Sequence, residues 1–464
     1  MNDIEARIHA VENGLFSKEA ASYMPHHALH KRMAEERVPG VSIAVINDGK
    51  IEWAKGYGVR AMRQLHAVNT ETLFQAASIS KPVATLAILR LVEAGKFDLD
   101  TDVNEYLTSW KVPPVEGWQP RLTLRQLLSH SAGTTVHGFL GYNHTEAVPT
   151  LAQILDGAKP ANSDPVRVDT LPGAQYRYSG GGISIVQLVA TDVVGKPFAE
   201  IAYEWALQPL GMTRSTYAQP LPESLYANVA VGHYYTGEPV EGGWYTMPEL
   251  AAAGLWTTPS DIARFALALQ AAYKGESSPV SQQVARWMLT EVVPAHETYS
   301  MGLSIFLRRW ADAASFGHGG DNVGYKNNFI AYFEGGDYGA AVMTNGDAGY
   351  WLAEEVLNSI AHVYSWKNHL PEENVTPEPS PPDSAYAGTY KLKSGVKLTI
   401  IREGERLMLQ ADAQPPMELR SLSEAKYRLY PLNAAMTFER DNEGQVFGMI
   451  FEQNGEKMEG WRAD

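Results

Sequence analysis

Cysteine is absent from this chain of 464 residues. Without thiols there are no disulfides, no thiolate zinc sites and no cysteine nucleophiles, so covalent catalysis must use another side chain. Basic residues are also few: 38 lysines and arginines stand against 53 aspartates and glutamates, which gives a net charge of -15. Because no basic block is present to neutralise phosphates, the composition argues against nucleic acid as a partner.

Long apolar runs are missing as well. No stretch of about 18 apolar residues occurs, so we expect no membrane span. The first residues, MNDIEARIHAVENG, lack the basic and apolar regions of a secretory signal. We therefore expect a cytoplasmic protein, or a periplasmic or secreted one if a signal was removed from the sequence.

The first 370 residues predict an α+β domain. Strand-like alternation surrounds the turn Asn47-Asp48-Gly49 and returns near the end of this region, at 328–333 and 340–344. Helical patterns lie between these strands, so we expect the two ends of the domain to share one sheet. We also expect one helix over residues 1–37 and one strand over 300–307.

The remaining residues predict a linker and a second domain. Residues 371–383 contain five prolines and no apolar periodicity, which is typical of a semi-rigid linker. Residues 384–464 alternate in short runs divided by turn pairs such as Glu403-Gly404 and Glu443-Gly444. This pattern predicts a small all-β barrel or sandwich.

The segment FQAASISKPVATL, residues 74–86, places two serines ahead of a lysine at the start of a helical pattern. On a helix, Ser78 and Lys81 would lie on one face with Cβ atoms about 5–6 Å apart, whereas Ser80 would point elsewhere. A serine hydroxyl needs a base within hydrogen-bonding distance, and a buried lysine can supply it. A capped helix with a surface lysine would show the same spacing, so the pair alone leaves both interpretations open.

Further blocks follow in a fixed order: LTLRQLLSHSAGT (122–134), YRYSGGGISIVQL (176–188), AAAGLWTTPSDIARF (251–265) and FGHGGDNVGY (316–325). Together with the serine–lysine segment they resemble the penicillin-recognising serine hydrolases. That family includes class C β-lactamases, D-alanyl-D-alanine carboxypeptidases and family VIII esterases. The resemblance implies a β-lactamase/transpeptidase-like antiparallel sheet flanked by helices, with an additional α-helical region. The C-terminal domain resembles the lipocalin-like appendages of some of these hydrolases.

The resemblance also implies site residues. Ser78 would be the acylated nucleophile and Lys81 its base. Tyr178 would be the second proton carrier, as a phenoxide or as a relay with Lys81. His318 would hold the tyrosine hydroxyl or a substrate carboxylate. The backbone N–H groups of Ser78 and Asp321 would form the oxyanion hole.

The substrate side of the site is less regular. Gly319 and Gly320 would let a strand edge approach the substrate. Where the family commonly has Asn two residues after the motif tyrosine, this chain has Gly180, which predicts a specificity shifted away from typical β-lactams. The loop containing Phe139 and Tyr142 would line the acyl pocket, or form a structural Ω-loop.

No cofactor or metal site is expected. His26 and His30 are four residues apart but lack an accompanying acidic motif, so a solvated helix face is the favoured interpretation. His130 is expected to be a structural histidine that hydrogen-bonds local backbone, and Tyr176 a packing residue. Trp256 and Tyr325 would form either an aromatic wall for the substrate or part of the core.

The sequence thus predicts a serine hydrolase that cleaves an ester or amide bond through an acyl-enzyme on Ser78, as an esterase or a D-amino-acid-type peptidase. A β-lactamase or acyltransferase of the same family is one alternative, and a catalytically silent binding or regulatory module is another. The expected partner is a small-molecule ester, amide or peptide. A homo-oligomer is left open.

Overall fold

The computed structural model describes residues 3–16, 26–370 and 384–463, with gaps at residues 394, 405, 413–415, 422–424, 430–433, 442 and 454–455. The described residues within Met1–Leu15 and His27–His369 form one compact unit, and those within Phe16–His26 and Leu370–Asp464 form a second. Residues 371–383, predicted as a linker, lie outside the described residues. The domain limits 1–370 and 384–464 therefore stay predictions.

Ten strands belong to the first unit: β1 (Gly40–Asn47), β2 (Lys50–Gly58), β3 (Phe74–Gln75), β4 (Trp256–Thr257), β5 (Val293–His296), β6 (Tyr299–Met301), β7 (Phe306–Arg309), β8 (Ala314–Asn322), β9 (Tyr325–Glu334) and β10 (Gly339–Thr344). Eight form an antiparallel sheet in the order β2-β1-β10-β9-β8-β7-β6-β5, and β3 pairs with β4. Val41 of β1 lies opposite Thr344 of β10. This pairing confirms that the two ends of the domain share one sheet.

The helices of this unit are α1 (Asp3–Glu12), α2 (Leu29–Glu35), α3 (Ser80–Glu93), α4 (Val103–Tyr106), α5 (Leu124–Leu128), α6 (Leu151–Asp156), α7 (Gly180–Val194), α8 (Phe198–Ala202), α9 (Leu250–Ala253), α10 (Pro259–Lys274), α11 (Gln282–Leu289) and α12 (Gly349–Val363). A wider π-helical turn, Tyr203–Leu207, continues α8, and 3₁₀ turns span Ala77–Ile79 and Glu223–Asn228. Among the described residues, no helix is both long and apolar enough to cross a membrane.

Side chains alternate between the two faces of the sheet along β9, and helices cover both faces. Phe329 and Phe333 face α10, where they meet Phe265 and Tyr273. Tyr332 points to the opposite face and packs near Trp366, which follows α12. The central strands of the sheet are therefore a buried layer, and the C-terminal end of β8 lies against the turn before α3 that carries Ser78.

Helices α3 and α7 form the centre of the helical region. Eleven of the 14 residues of α3 are buried, as are the first eleven of the 15 residues of α7. A helix that is apolar on all sides is stable only when other elements surround it. Both helices are thus fixed elements, and their N-termini hold the candidate site.

Two sequence predictions about elements were wrong. The helix over residues 1–37 is interrupted: α1 ends at Glu12, Leu15 forms a bridge with His27, and α2 begins only at Leu29. The strand over 300–307 is two strands, β6 and β7. A turn closed by the hydrogen bond from the Gly302 N–H to the Ile305 carbonyl separates them.

The second unit is a closed barrel of consecutive antiparallel strands: β11 (Gly388–Leu392), β12 (Lys397–Glu403), β13 (Arg406–Ala411), β14 (Met417–Ser421), β15 (Lys426–Leu429), β16 (Ala434–Arg440), β17 (Val446–Gln453) and β18 (Glu456–Arg462). Its core is aromatic, with the rings of Tyr386 and Phe438 stacked at 4.3 Å. The all-β prediction is confirmed.

Candidate active site

Ser78 lies in the 3₁₀ turn Ala77–Ile79, directly before α3. The Nζ atom of Lys81 lies 2.8 Å from the Ser78 Oγ atom, so the predicted contact across one helical turn is present. Ala77 has a φ of +52°, a value that is strained for a residue with a side chain. The nucleophile candidate is therefore held on a tight, strained turn.

Lys81 is buried, and its ammonium contacts the carbonyl of Ala252 at 2.8 Å as well as Ser78. Burial lowers the pKa of Lys81 to about 7, because an apolar environment disfavours the charged form. Near neutral pH a sizeable fraction of the amine is thus unprotonated and can accept a proton from Ser78.

Ser80 has a structural role. Its hydroxyl donates to the Ala77 carbonyl and accepts the N–H of Leu255 at 3.0 Å, and the side chain is buried. These bonds tie the start of α3 to the strand β4 region. The choice of Ser78 over Ser80 agrees with this arrangement.

Tyr178 lies against the serine–lysine pair. Its hydroxyl is hydrogen-bonded to Ser78, and the Lys81 Nζ atom lies 5.0 Å from its ring centroid. Burial raises the pKa of Tyr178, although the bond to Ser78 opposes the shift. The phenol is therefore protonated at neutral pH, which favours the relay over the phenoxide.

His318, on β8, is buried beside this group, with its ring 6.1 Å from that of Tyr178. Its Nδ1 atom lies 2.6 Å from the Gly319 carbonyl. A carbonyl only accepts, so Nδ1 carries the proton and Nε2 is the acceptor. Burial, together with the charge of Lys81, lowers the pKa of His318 to about 3. A neutral acceptor does not attract a carboxylate, so of the two predicted roles only contact with a hydroxyl fits.

The residues of β8 after Gly317 extend beyond the neighbouring strand, because antiparallel β7 begins only at Phe306, which lies opposite Gly317. A Cβ atom at Gly320 would lie 2.2 Å from the Ala76 carbonyl oxygen, so only glycine fits there. At Gly319 the nearest atom would be 3.8 Å away. Packing within the protein therefore requires glycine at position 320 but not at position 319.

Asp321, whose backbone N–H was predicted for the oxyanion hole, is anchored through its side chain. The carboxylate lies 2.8 Å from the Lys326 Nζ atom, which also contacts Asp347 at 2.8 Å. Lys326 itself is buried, so this network fixes the β8–β9 turn. No pattern in the sequence indicated Lys326.

The two predicted pocket residues, Phe139 and Tyr142, lie in the loop-rich 133–173 segment, which also contains α6, and they have different surroundings. Phe139 lies at Gly180: a Cβ atom at that glycine would be 3.1 Å from the Phe139 ring. Tyr142 is instead 1% exposed, and its hydroxyl accepts the N–H of Asn162 at 3.1 Å. Tyr142 therefore supports the loop from beneath and does not line a surface, which corrects the expectation.

His130 was predicted to bond local backbone, yet its ring partner is 49 residues away. The ring stacks on that of Tyr178 with centroids 4.3 Å apart, and Nδ1 accepts the Ser179 N–H at 3.2 Å. The His130 carbonyl accepts the N–H of Arg177 at 2.7 Å. His130 thus contacts Tyr178 and both of its chain neighbours, which makes it a positioning residue that the sequence did not reveal.

The structure also places the remaining aromatic and histidine residues that the sequence analysis named. Trp256 and Tyr325 are fully buried and belong to the core. Tyr176 packs edge-on against His130, as a packing residue would. His26 and His30 are both exposed, but His26 lies before α2, so the prediction that both share a helix face is wrong. Within the described part of the chain, no three acidic, histidine or cysteine side chains are placed to hold a metal ion.

A serine that contacts a buried lysine and a tyrosine at the start of α3 defines a serine hydrolase with a Ser-x-x-Lys centre. The family model described as Beta-lactamase matches residues 26–364, and the model described as Domain of unknown function (DUF3471) matches residues 372–462. The chain belongs to the Beta-lactamase family. The resemblance drawn from the sequence is confirmed.

Individual relatives agree with this assignment. The chain is 28% identical to penicillin-binding protein 4 of Amycolatopsis lactamdurans over 381 residues, covering 78% of this chain and 95% of that protein. It is 26% identical to esterase EstB of Burkholderia gladioli over 266 residues, covering 53% and 65%. The octameric penicillin-binding protein homologue from Pyrococcus abyssi matches with a TM-score of 0.65 at 22% identity, covering 93% and 98%. At that identity the structural match shows the fold.

Proposed function

We propose that the protein hydrolyses carboxylic esters, and amides of similar shape, through an acyl-enzyme on Ser78. The observation that carries this proposal is the 2.8 Å contact between the Ser78 hydroxyl and a lysine whose pKa burial lowers to about 7. The similarity to esterase EstB supports an ester substrate. A D-amino-acid-type peptidase activity is the amide counterpart of the same chemistry.

In the first half-reaction, Lys81 accepts the proton of Ser78 while Oγ bonds to the substrate carbonyl carbon. The N–H groups of Ser78 and Asp321 then stabilise the oxyanion. Asn322 lies opposite Tyr325 across a two-residue turn, so that pair is hydrogen-bonded and the Asp321 N–H points away from β9. Lys81 returns the proton through Tyr178 to the leaving oxygen, and the bond from the carbonyl carbon to that oxygen breaks.

In the second half-reaction, water attacks the acyl-enzyme. The same amine takes one proton of the water as its oxygen bonds to the carbonyl carbon, and Ser78 Oγ leaves and is reprotonated. The products are a carboxylic acid and an alcohol, or an amine when the substrate is an amide. The chain's own side chains supply every proton carrier in this sequence.

Labelling with a fluorophosphonate, followed by peptide mass spectrometry, tests the proposal. We expect the label on Ser78 and not on Ser80, and we expect Ser78→Ala to lose both labelling and turnover of p-nitrophenyl esters. Label on another residue, or ester turnover by Ser78→Ala equal to that of the wild type, would refute the proposal and favour a catalytically silent module.

β-Lactams distinguish the related activities. The match to a penicillin-binding protein supports a test with labelled penicillin and nitrocefin. We expect acylation of Ser78 to be slow and nitrocefin turnover to be weak, because Gly180 offers no side-chain amide to a β-lactam. Rapid nitrocefin turnover would make β-lactamase the principal activity, and ester products carrying an added alcohol would indicate an acyltransferase.

We further propose that the protein self-associates, as its octameric homologue from Pyrococcus abyssi does. Light scattering coupled to size-exclusion chromatography tests this directly. A mass near that of one 51.0 kDa chain at micromolar concentration would contradict it.

A further inference from the structure

The first three residues of α7 are glycines, and the loop of residues 134–139 lies directly on them. Cβ atoms at Gly181 and Gly182 would lie 2.9 Å from the Thr135 carbonyl oxygen and 2.8 Å from the Thr134 hydroxyl. Such contacts are too short for any residue with a side chain. Gly181 and Gly182 therefore allow residues 134 and 135 to lie close to the helix, which side chains at these positions would prevent.

Hydrogen bonds hold the loop in this position. The N–H of Gly180 donates to the His137 carbonyl at 2.9 Å, and that of Gly181 donates to Val136 at 3.0 Å. The Ser179 hydroxyl donates to the Thr135 carbonyl at 2.6 Å. The N–H groups that a helix N-terminus usually offers to a ligand are thus used by the loop itself.

Phe139 takes the space in front of Gly180. A Cβ atom there would be 3.1 Å from the Phe139 ring, so a side chain at residue 180 would point into it. Gly180 is two residues after Tyr178, which bonds to Ser78, and the His137 ring lies 4.7 Å from the Tyr178 ring. Phe139 is only half-buried, so part of its ring is accessible at the position that a side chain of residue 180 would occupy.

We propose that Phe139 makes the acyl side of the cleft apolar, so that the protein selects hydrocarbon acyl groups over acyl groups that carry an amide next to the reacting carbonyl. An amide placed against the ring loses its water without gaining a partner, whereas a hydrocarbon chain gains by burial. This inference rests on the proposed esterase function and specifies its substrate class.

Two thioesters of mercaptoacetate provide the test, one with a pentanoyl group and one with an N-acetylglycyl group of similar length. Released thiol is measured with a disulfide dye, and the protein gives no background because it contains no cysteine. We expect the wild type to favour the pentanoyl substrate by about tenfold or more in kcat/KM. Phe139→Ala should reduce this ratio severalfold, and Phe139→Gln should reduce it further by supplying an amide.

Control variants distinguish a failure of this inference from a failure of the proposed function. Val148→Ala, an exposed apolar residue of the same 133–173 segment, should leave the ratio unchanged. The inference would be overturned if the wild type preferred the N-acetylglycyl substrate, or if folded Phe139→Ala and Phe139→Gln kept the wild-type ratio. In either case, loss of activity in Ser78→Ala would still support the proposed function. Pentanoyl turnover that survives Ser78→Ala would refute the proposed function instead.

Discussion

At the scale of single residues, burial decides the chemistry of the site. Lys81, Tyr178 and His318 all favour their uncharged forms because burial opposes charge. The result is a hydrolase centre with an amine base, a phenol and a neutral imidazole. Of these three side chains, only Lys81 titrates near neutral pH.

The pH dependence of kcat/KM should therefore rise with a midpoint at about pH 7. Lys81 must lose a proton to act as base, and its folded-state pKa is lowered to about 7. Activity is thus low below this pH and reaches a plateau above it. Lys81→Arg should lose about 10²- to 10⁴-fold in kcat, since a guanidinium stays protonated.

Two further histidines that interact with Lys81 do not explain the rise in activity near pH 7. Burial lowers the pKa of His130 and of His137, so both are neutral near pH 7. Glu249, buried at the start of α9, has its pKa raised to about 8 by burial and is the competing group. Glu249→Gln serves as the control: if the rise disappears in that variant, it does not belong to Lys81.

His130 yields a second prediction. His130→Ala should lower kcat by up to about 100-fold with little change in KM, because Tyr178 loses its stacking partner and Ser179 loses the Nδ1 acceptor. His130→Asn should recover much of this loss, since its amide oxygen can replace Nδ1 and Asn tolerates the φ of +55°. Equal kcat in the wild type and both variants would mean that the ring only packs.

These residues also show what a sequence can reveal. Ser78 and Lys81 are three positions apart, so helical periodicity alone predicts that they meet. His130 and Ser179 are 49 positions apart, and Phe139 and Gly180 are 41 apart. Such contacts depend on how loops close over a helix N-terminus, and no local pattern encodes that.

At the scale of elements, the edge of β8 is the part most sensitive to volume. Gly320→Ala should destabilise the fold by about 1–3 kcal/mol, because its Cβ would overlap the Ala76 carbonyl and push on the turn that holds Ser78. Thermal unfolding measures this loss. Gly319→Ala is the matched control, with space for a methyl group, and should unfold near the wild-type temperature.

Elements with complete local signals were predictable. Helix α10 begins at Pro259 after the capping residue Thr258 and ends before Gly275, which has a φ of +79°. The prediction of one helix over residues 1–37 was wrong because apolar spacing alone does not show where a helix ends. The strand at 300–307 failed because the turn after Gly302 lacks the usual turn dipeptides.

At the scale of the whole molecule, the chain forms two compact units with separate cores. The strand order that joins β1 to β10 followed from finding strand patterns at both ends of the first region. The barrel was predicted from alternating apolar residues and from turn pairs such as Glu403-Gly404, in which Gly404 has a φ of +66°. Neither pattern predicted which side chains fill the barrel, because this depends on closure of β11 against β18.

Because the two units have separate cores, a substitution in one core should destabilise that unit alone. Phe438, 3% exposed, contacts Tyr386, Tyr390 and Tyr427 inside the barrel. Phe438→Ala should therefore destabilise the barrel by about 3–5 kcal/mol and leave fluorophosphonate labelling of Ser78 intact. Calorimetry should show one transition moving to lower temperature while the other stays in place. A single transition that shifts as a whole, together with lost labelling, would show that the hydrolase unit requires the barrel, because packing confined to one core cannot destabilise the other.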